Sequence, residues 1–408
     1  MLSKSIFKNK NFMILWLGQL VSKIGDHILE FALAWYIYDQ TNSTLALSLS
    51  IISIFLPNAI VSTFSGVVAD RFNRKKIIII CDTLNGLFIF LLFIRSLYAP
   101  LTLPVIIIAN ISIAIVSSLF YPAISSSTQS VLETDQLQDA GALSQLQGRF
   151  AIVAGSAIAG FMLKLVGIEI LLFINALSFI FSAISESFVK IPVNHKVENT
   201  NISMIDSLKE AAHFMSRNRV ILYLTLFAGI IANGMFMSVS LYMPAIFKDI
   251  LGKSSIELGI YYSIEGALGI ITSVFLLLSQ KKLQPYKWTV IALFLEGLCL
   301  SGIGLMPSLS IAYIIAALSG FCFTICSVTM SILFRKLIPN KLMGRVGSFN
   351  MLLSNLAIPV FTVFFGFIGD IKNPQTIVLY ASFVFLISLI PAPFIFSNAS
   401  KSRAKNHM

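Results

Sequence analysis

Charge is what this sequence has least of. Only 12% of its 408 residues are Asp, Glu, Lys or Arg, against about 25% in a soluble protein. Runs of twenty or more residues carry almost none, which excludes a chain folded in water, where each helix buries one stripe and solvates the rest. Cysteine is nearly as sparse. Cys81, Cys299, Cys322 and Cys326 all lie in apolar stretches with no histidine beside them, so a disulfide framework and a zinc site are excluded and the four read as small buried hydrophobes. No Ser-His-Asp or metal-ligand grouping occurs outside the apolar stretches, so an enzyme and a bound cofactor are not expected. Gly252-Lys253-Ser254 is similar to the end of a phosphate-binding loop, but the glycine required five residues earlier is Phe247; ATP hydrolysis is excluded on that ground.

What is abundant is apolar length. The chain is 57% hydrophobic with 34 phenylalanines, and apolar windows fall at approximately 12–38, 43–69, 76–95, 101–127, 140–164, 168–190, 219–247, 255–279, 287–306, 309–335, 344–369 and 375–397. Each is long enough to cross a bilayer core of about 30 Å as a helix. The first is too long for a secretory signal, contains Lys23, Asp26 and Glu30, and reads as a permanent span. The expected fold is an all-α integral membrane protein of twelve transmembrane helices.

An even number of spans puts both termini on one side. Of the 29 Lys and Arg residues, 23 fall on the side of the termini, with Arg149 included, and five on the other; Lys23 lies inside a span. The positive-inside rule makes the termini cytoplasmic. It also accounts for the net charge of +11 without nucleic acid as a partner. The one long polar loop, residues 191–218, divides the windows six and six, giving halves 1–190 and 219–408 joined by a cytoplasmic linker. Within it Met204, Ile205, Leu208, Ala211, Ala212 and Met215 recur at helical spacing after Ser203 as N-cap, predicting a short amphipathic helix on the cytoplasmic face. Asp135-Gln136-Leu137 before the fifth window and Asn340-Lys341-Leu342 before the eleventh are a faint internal echo, consistent with two six-helix pseudo-repeats.

Between the second and third windows stands Gly66-Val67-Val68-Ala69-Asp70-Arg71-Phe72-Asn73-Arg74-Lys75-Lys76. A basic cytoplasmic turn explains the cations but not Gly66 and Asp70 at these spacings. The pattern resembles the signature loop of the major facilitator superfamily. Asn11-Phe12, Leu17-Gly18-Gln19, Gly25-Asp26, Tyr121-Pro122-Ala123, Asn175-Ala176-Leu177-Ser178-Phe179 and Gly344-Arg345-Val346 are similar to its bacterial branch of macrolide-efflux proteins and a siderophore exporter. The matching loop of the second half, Gln280 to Lys287, keeps its cations but lacks the Asp-Arg core. The resemblance implies alternating access by a monomer in the bacterial cytoplasmic membrane. It also suggests a latch: Asp70 facing the positive N-terminal end of the eleventh helix around Gly344, with Arg345 as partner, and Arg71, Arg74 and Lys75 tying the loop to its own half, Asp82 being one anchor.

A charge in mid-membrane costs roughly 2.5–3.5 kcal/mol even on insertion scales, so each one calls for a reason. Gln19, Lys23, Asp26, His27 and Glu30 share one face of the first helix. Two readings stand: a self-neutralising stripe with Lys23 paired to Asp26 or His27, or the wall of a central cavity where Asp26 or Glu30 binds a proton or a cationic substrate group. The resemblance implies that the first helix of each three-helix repeat lines the cavity, as does the eighth, which carries Glu265. Arg149 reads equally as cavity cation or structural partner, and Glu296 as a pairing residue or one placed nearer the membrane interface. Ala151, Gly155 and Ala159 form a small-residue stripe for close helix packing. The functional expectation is a proton-coupled exporter of a small amphipathic compound such as a macrolide-like drug; the alternative is a lipid facilitator or a sensor that does not pump.

Overall fold

The computed structural model describes residues 6–133, 136–191, 204–278, 284–305 and 308–397, apart from the side chains of a few positions that include Gly66 and Asp70. Ser203, the expected N-cap, falls outside these residues. All the regular structure described is helical. In chain order the helices are α1 (Lys10–Thr41), α2 (Thr44–Arg71), α3 (Arg74–Tyr98), α4 (Leu103–Ser130), α5 (Leu137–Ser187), α6 (Met204–Arg217), α7 (Arg219–Ile250), α8 (Ser255–Leu278), α9 (Pro285–Gly304), α10 (Leu309–Leu337), α11 (Asn340–Gly369) and α12 (Pro374–Ser388).

Local chemistry sets the ends. Asn9, Ser43, Asn73 and Asn218 each accept the backbone N–H three residues on, which satisfies one of the donors a helix leaves open at its start. Pro285 and Pro374 open α9 and α12, where a missing N–H costs nothing. Gly167, at φ 79° and ψ 177°, interrupts α5. The left-handed φ suits glycine, and it separates two arms, 137–166 and 168–187, that match the fifth and sixth windows.

Among the described residues ten helices are long and apolar enough to cross a membrane. The continuous α5 is one of these although it holds two spans, and the polar face of α1 keeps that helix off the count. Twelve spans are thereby accounted for.

The chain divides into two compact units. The first contains residues 1–198 and the stretch Gly252–Gly266, which includes the beginning of α8. In it α1 and α3 lie along α5, and α4 packs on α2 and α3. Because lipid supplies no hydrogen bonds, buried polar groups pair between helices: Asn110 of α4 donates to Ser50 Oγ (3.0 Å) and Ser53 Oγ (3.1 Å) of α2. The small-residue stripe is buried where expected, Ala151 and Ala159 being fully covered. The start of α8 packs on the first arm of α5 through two glycines. A Cβ on Gly259 would lie 2.6 Å from the Ser156 carbonyl oxygen, and one on Gly160 at 2.6 Å from that of Ser255, whose hydroxyl donates to the Gly160 carbonyl (2.9 Å). Gly259→Val is therefore expected to cost about 1–3 kcal/mol through overpacking, seen as a lower melting temperature and less monodisperse protein in detergent, while Gly141→Val, where a Cβ meets open space, is the silent control.

The second unit contains residues 199–251 and 267–408. There α9 packs on α10 and α12, and α11 on α7. Tyr242 of α7 donates to the Phe365 carbonyl of α11, and Thr289 of α9 bonds Thr329 of α10 at 2.8 Å. Glu296 takes the expected pairing role, accepting from Ser319 Oγ at 2.9 Å. The amphipathic helix α6 is present. Ala211 and Met215 on its apolar face are buried with Ile338 and Val346, bordered by Leu342, Met343 and Phe349. The start of α11 offers a complementary apolar patch that covers Ala211 and Met215.

Candidate functional site

The polar face of α1 is held by both arms of α5. Gln147 ties the first arm twice: its amide donates to the Trp16 carbonyl (2.6 Å), and its carbonyl accepts from Lys23 Nζ (2.8 Å). Trp16 Nε1 donates to the Leu143 carbonyl (3.2 Å). On the second arm, Asn175 lies beside the Asp26 carboxyl, and Gln19 donates to Glu186 Oε1 (2.8 Å) and Ser182 Oγ (3.3 Å). His27 Nδ1 lies 3.0 Å from Glu30 Oε2 one turn along α1. A Cβ on Gly155 would approach His27 Cβ to 2.7 Å, so the small-residue stripe makes room for this part of α1.

Burial grades along the face. Asp26 and Lys23 are half-buried, His27 is 31% exposed and Glu30 62% exposed. Asp26 and Glu30 are near enough to repel, and His27 stands between them as a compensating base. The other two candidates belong to the same unit. Arg149 on the first arm of α5 and Glu265 on α8 attract one another, and Ser263 donates to the Val153 carbonyl (3.2 Å). Phe31 of α1 meets Tyr262 of α8 edge-on at 6.2 Å. Thus Lys23, Asp26, His27, Glu30, Arg149 and Glu265 lie on three elements of one unit, with carboxylate, imidazole, guanidinium and aromatic groups at hand. Such a set can bind a proton, a cation or an amphipathic molecule with a polar end.

Around the signature loop, Lys75 Nζ donates to the Ser187 carbonyl (2.6 Å) and Arg74 Nε to the Ala69 carbonyl (3.3 Å), both within the first unit. Asp82 lies beside Ser182 and Glu186, not beside a cation of the loop. In the second unit Arg345 is paired with Glu210 of α6, and Gly344 is open to solvent. The side chain of Asp70 lies outside the described residues. Sequence reasoning overlooked Gln147 and Glu186. Glu186 did carry a signal, being an ionisable residue inside an apolar window; Gln147 carried none.

The profile of the Major Facilitator Superfamily matches residues 15–362. The chain belongs to that superfamily. Among curated members it is similar to macrolide efflux protein A of Streptococcus pyogenes, at 25% identity over 353 residues covering 86% of this chain and 87% of the relative. It is also similar to the enterobactin exporter EntS of Escherichia coli O1:K1 / APEC, at 22% identity over 338 residues covering 82% and 79%. In fold it resembles the crystal structure of the nucleoside transporter NupG, with a TM-score of 0.74 at 12% identity over 95% of this chain and 99% of that one. It is therefore a multi-pass membrane protein of a superfamily that transports small molecules, with exporters among its relatives.

Proposed function

We propose that this superfamily member is a proton-driven exporter of a small amphipathic compound, working by alternating access as a monomer in the bacterial cytoplasmic membrane. The observation that carries the reading is the face of α1 from Lys23 to Glu30. It places two carboxylates and an imidazole within a membrane-spanning bundle, where a merely structural helix would be apolar. Passive movement of lipid needs no such group. Efflux of macrolides and of a siderophore by similar proteins supports an amphipathic cargo, and the aromatic rings of Phe31 and Tyr262 offer it an apolar wall. One proton entering down about 100 mV supplies about 2.3 kcal/mol, enough for a substrate gradient of roughly 45-fold.

The test compares bacteria with and without the gene for susceptibility to macrolides and for excreted metabolites, each with and without a protonophore. Resistance or excretion that requires the gene and vanishes with the protonophore supports the reading. A gene-dependent effect indifferent to the protonophore contradicts proton drive.

Orientation has its own test. The native cysteines are buried, so background labelling by an impermeant thiol reagent is expected to be low. Tyr98→Cys and Lys372→Cys are expected to label from outside intact cells, and Lys76→Cys only after lysis. The reverse pattern would invert the topology.

A further inference from the structure

Two carboxyl groups outside the face of α1 meet in the interior of the first unit. Asp82 of α3 and Glu186 at the end of α5 are each 1% exposed and lie against one another. Ser182 Oγ donates to Glu186 Oε1 (3.4 Å) and stands beside Asp82, and Gln19 of α1 holds Glu186 Oε1 from the other side (2.8 Å). Asp82 Oδ2 and Glu186 Oε2 are buried and receive no donor from the protein. No lysine, arginine or histidine among the described residues pairs with either carboxyl. The charged or titratable groups facing them are Asp26 of α1, which repels Asp82, and Cys81 of α3. Lys75 is close by in the chain fold, but its ammonium is engaged by the Ser187 carbonyl.

Two ionised carboxylates cannot remain in contact in so dry a place without a cation. A single proton resolves the conflict: one group becomes a carboxylic acid and its O–H donates to a carboxylate oxygen of the other. We propose that Asp82 and Glu186 form a proton-binding site that holds one proton between them and so fastens α3, α5 and α1 together. Raising the pH removes the proton to water and leaves two like charges in contact, which loosens the three helices. The site stands apart from the Asp26 and Glu30 coupling reading and does not depend on it.

The experiment uses the full chain carrying Asp26→Asn and Glu30→Gln, so that those carboxyls contribute nothing, purified in lipid nanodiscs at neutral pH. Infrared spectroscopy reads the C=O stretch of protonated carboxyl groups. Adding Asp82→Asn with Glu186→Gln is expected to remove one carboxylic-acid equivalent per chain; an unchanged band overturns the proposal. A second arm needs only the gentler variant. Glu186→Gln in the otherwise native chain gives Asp82 an amide donor in place of the proton. The melting temperature of the native chain is expected to fall as the pH is raised from neutral, because the folded state holds one proton more than the unfolded state, whose carboxyls are already ionised there, and this fall is expected to disappear in Glu186→Gln. An equal fall in both proteins overturns the site, whatever the transport assays show.

Discussion

Asp26→Asn combined with Glu30→Gln is expected to collapse the substrate gradient from roughly 45-fold to none, since one proton per cycle is all that the proposed mechanism draws on. Both replacements keep size and hydrogen-bonding capacity, so the Asp26 contact with Asn175 and the Glu30 contact with His27 retain partners and the fold survives. Exchange of substrate down its gradient should persist, because alternation itself needs no proton once the charges are gone. The measurement is substrate-induced proton release from purified protein, followed by counterflow in liposomes. Of the two single variants, Glu30→Gln is expected to have the smaller effect on folding, as its side chain is the more exposed. Undiminished proton release from the double variant would move coupling elsewhere, with Glu265 beside Arg149 the next position to change.

Asp70→Asn is expected to slow transport several-fold while leaving membrane abundance unchanged. In the proposed cycle the Asp70 carboxylate is attracted to the positive N-terminal end of α11 in one of the two states, an effect worth up to about 2 kcal/mol at a helix terminus and so roughly 30-fold in the balance of the states. The asparagine keeps the shape and removes the charge. Arg345, at that end of α11, is bonded here to Glu210, so the cycle would have it exchange one carboxylate for another, and Glu210→Gln is expected to shift the balance in the opposite direction. Thiol accessibility of a cysteine placed in α1, with transport rates at matched protein levels, checks both. Wild-type transport by Asp70→Asn would remove the latch from the mechanism.

Much of the fold was legible because membranes impose few solutions. Apolar windows of helical length, the uneven cations and the signature loop required no knowledge of packing. Short-range features of the site were legible too: His27 and Glu30 are three apart on a helix, and their contact follows from helical spacing alone. Partners distant in sequence were not. One of the two readings of this face paired Lys23 with Asp26 or His27, yet its ammonium donates to Gln147, 124 residues away, because the first arm of α5 lies against that face. Asp82 was expected to anchor cations of the signature loop and Glu186 was overlooked; only the packing of α3 on α5 makes them a pair. The covering of α6 depends on an apolar patch at the start of α11 that periodicity within α6 could not disclose.

The central claim is that this chain couples proton entry to export. Inside-out membrane vesicles from cells lacking their own efflux pumps, energised by respiration and supplied with a radiolabelled macrolide, test it most directly. Vesicles containing the protein are predicted to accumulate label above empty vesicles and to lose that excess when a protonophore is added. An excess that survives the protonophore would contradict the account.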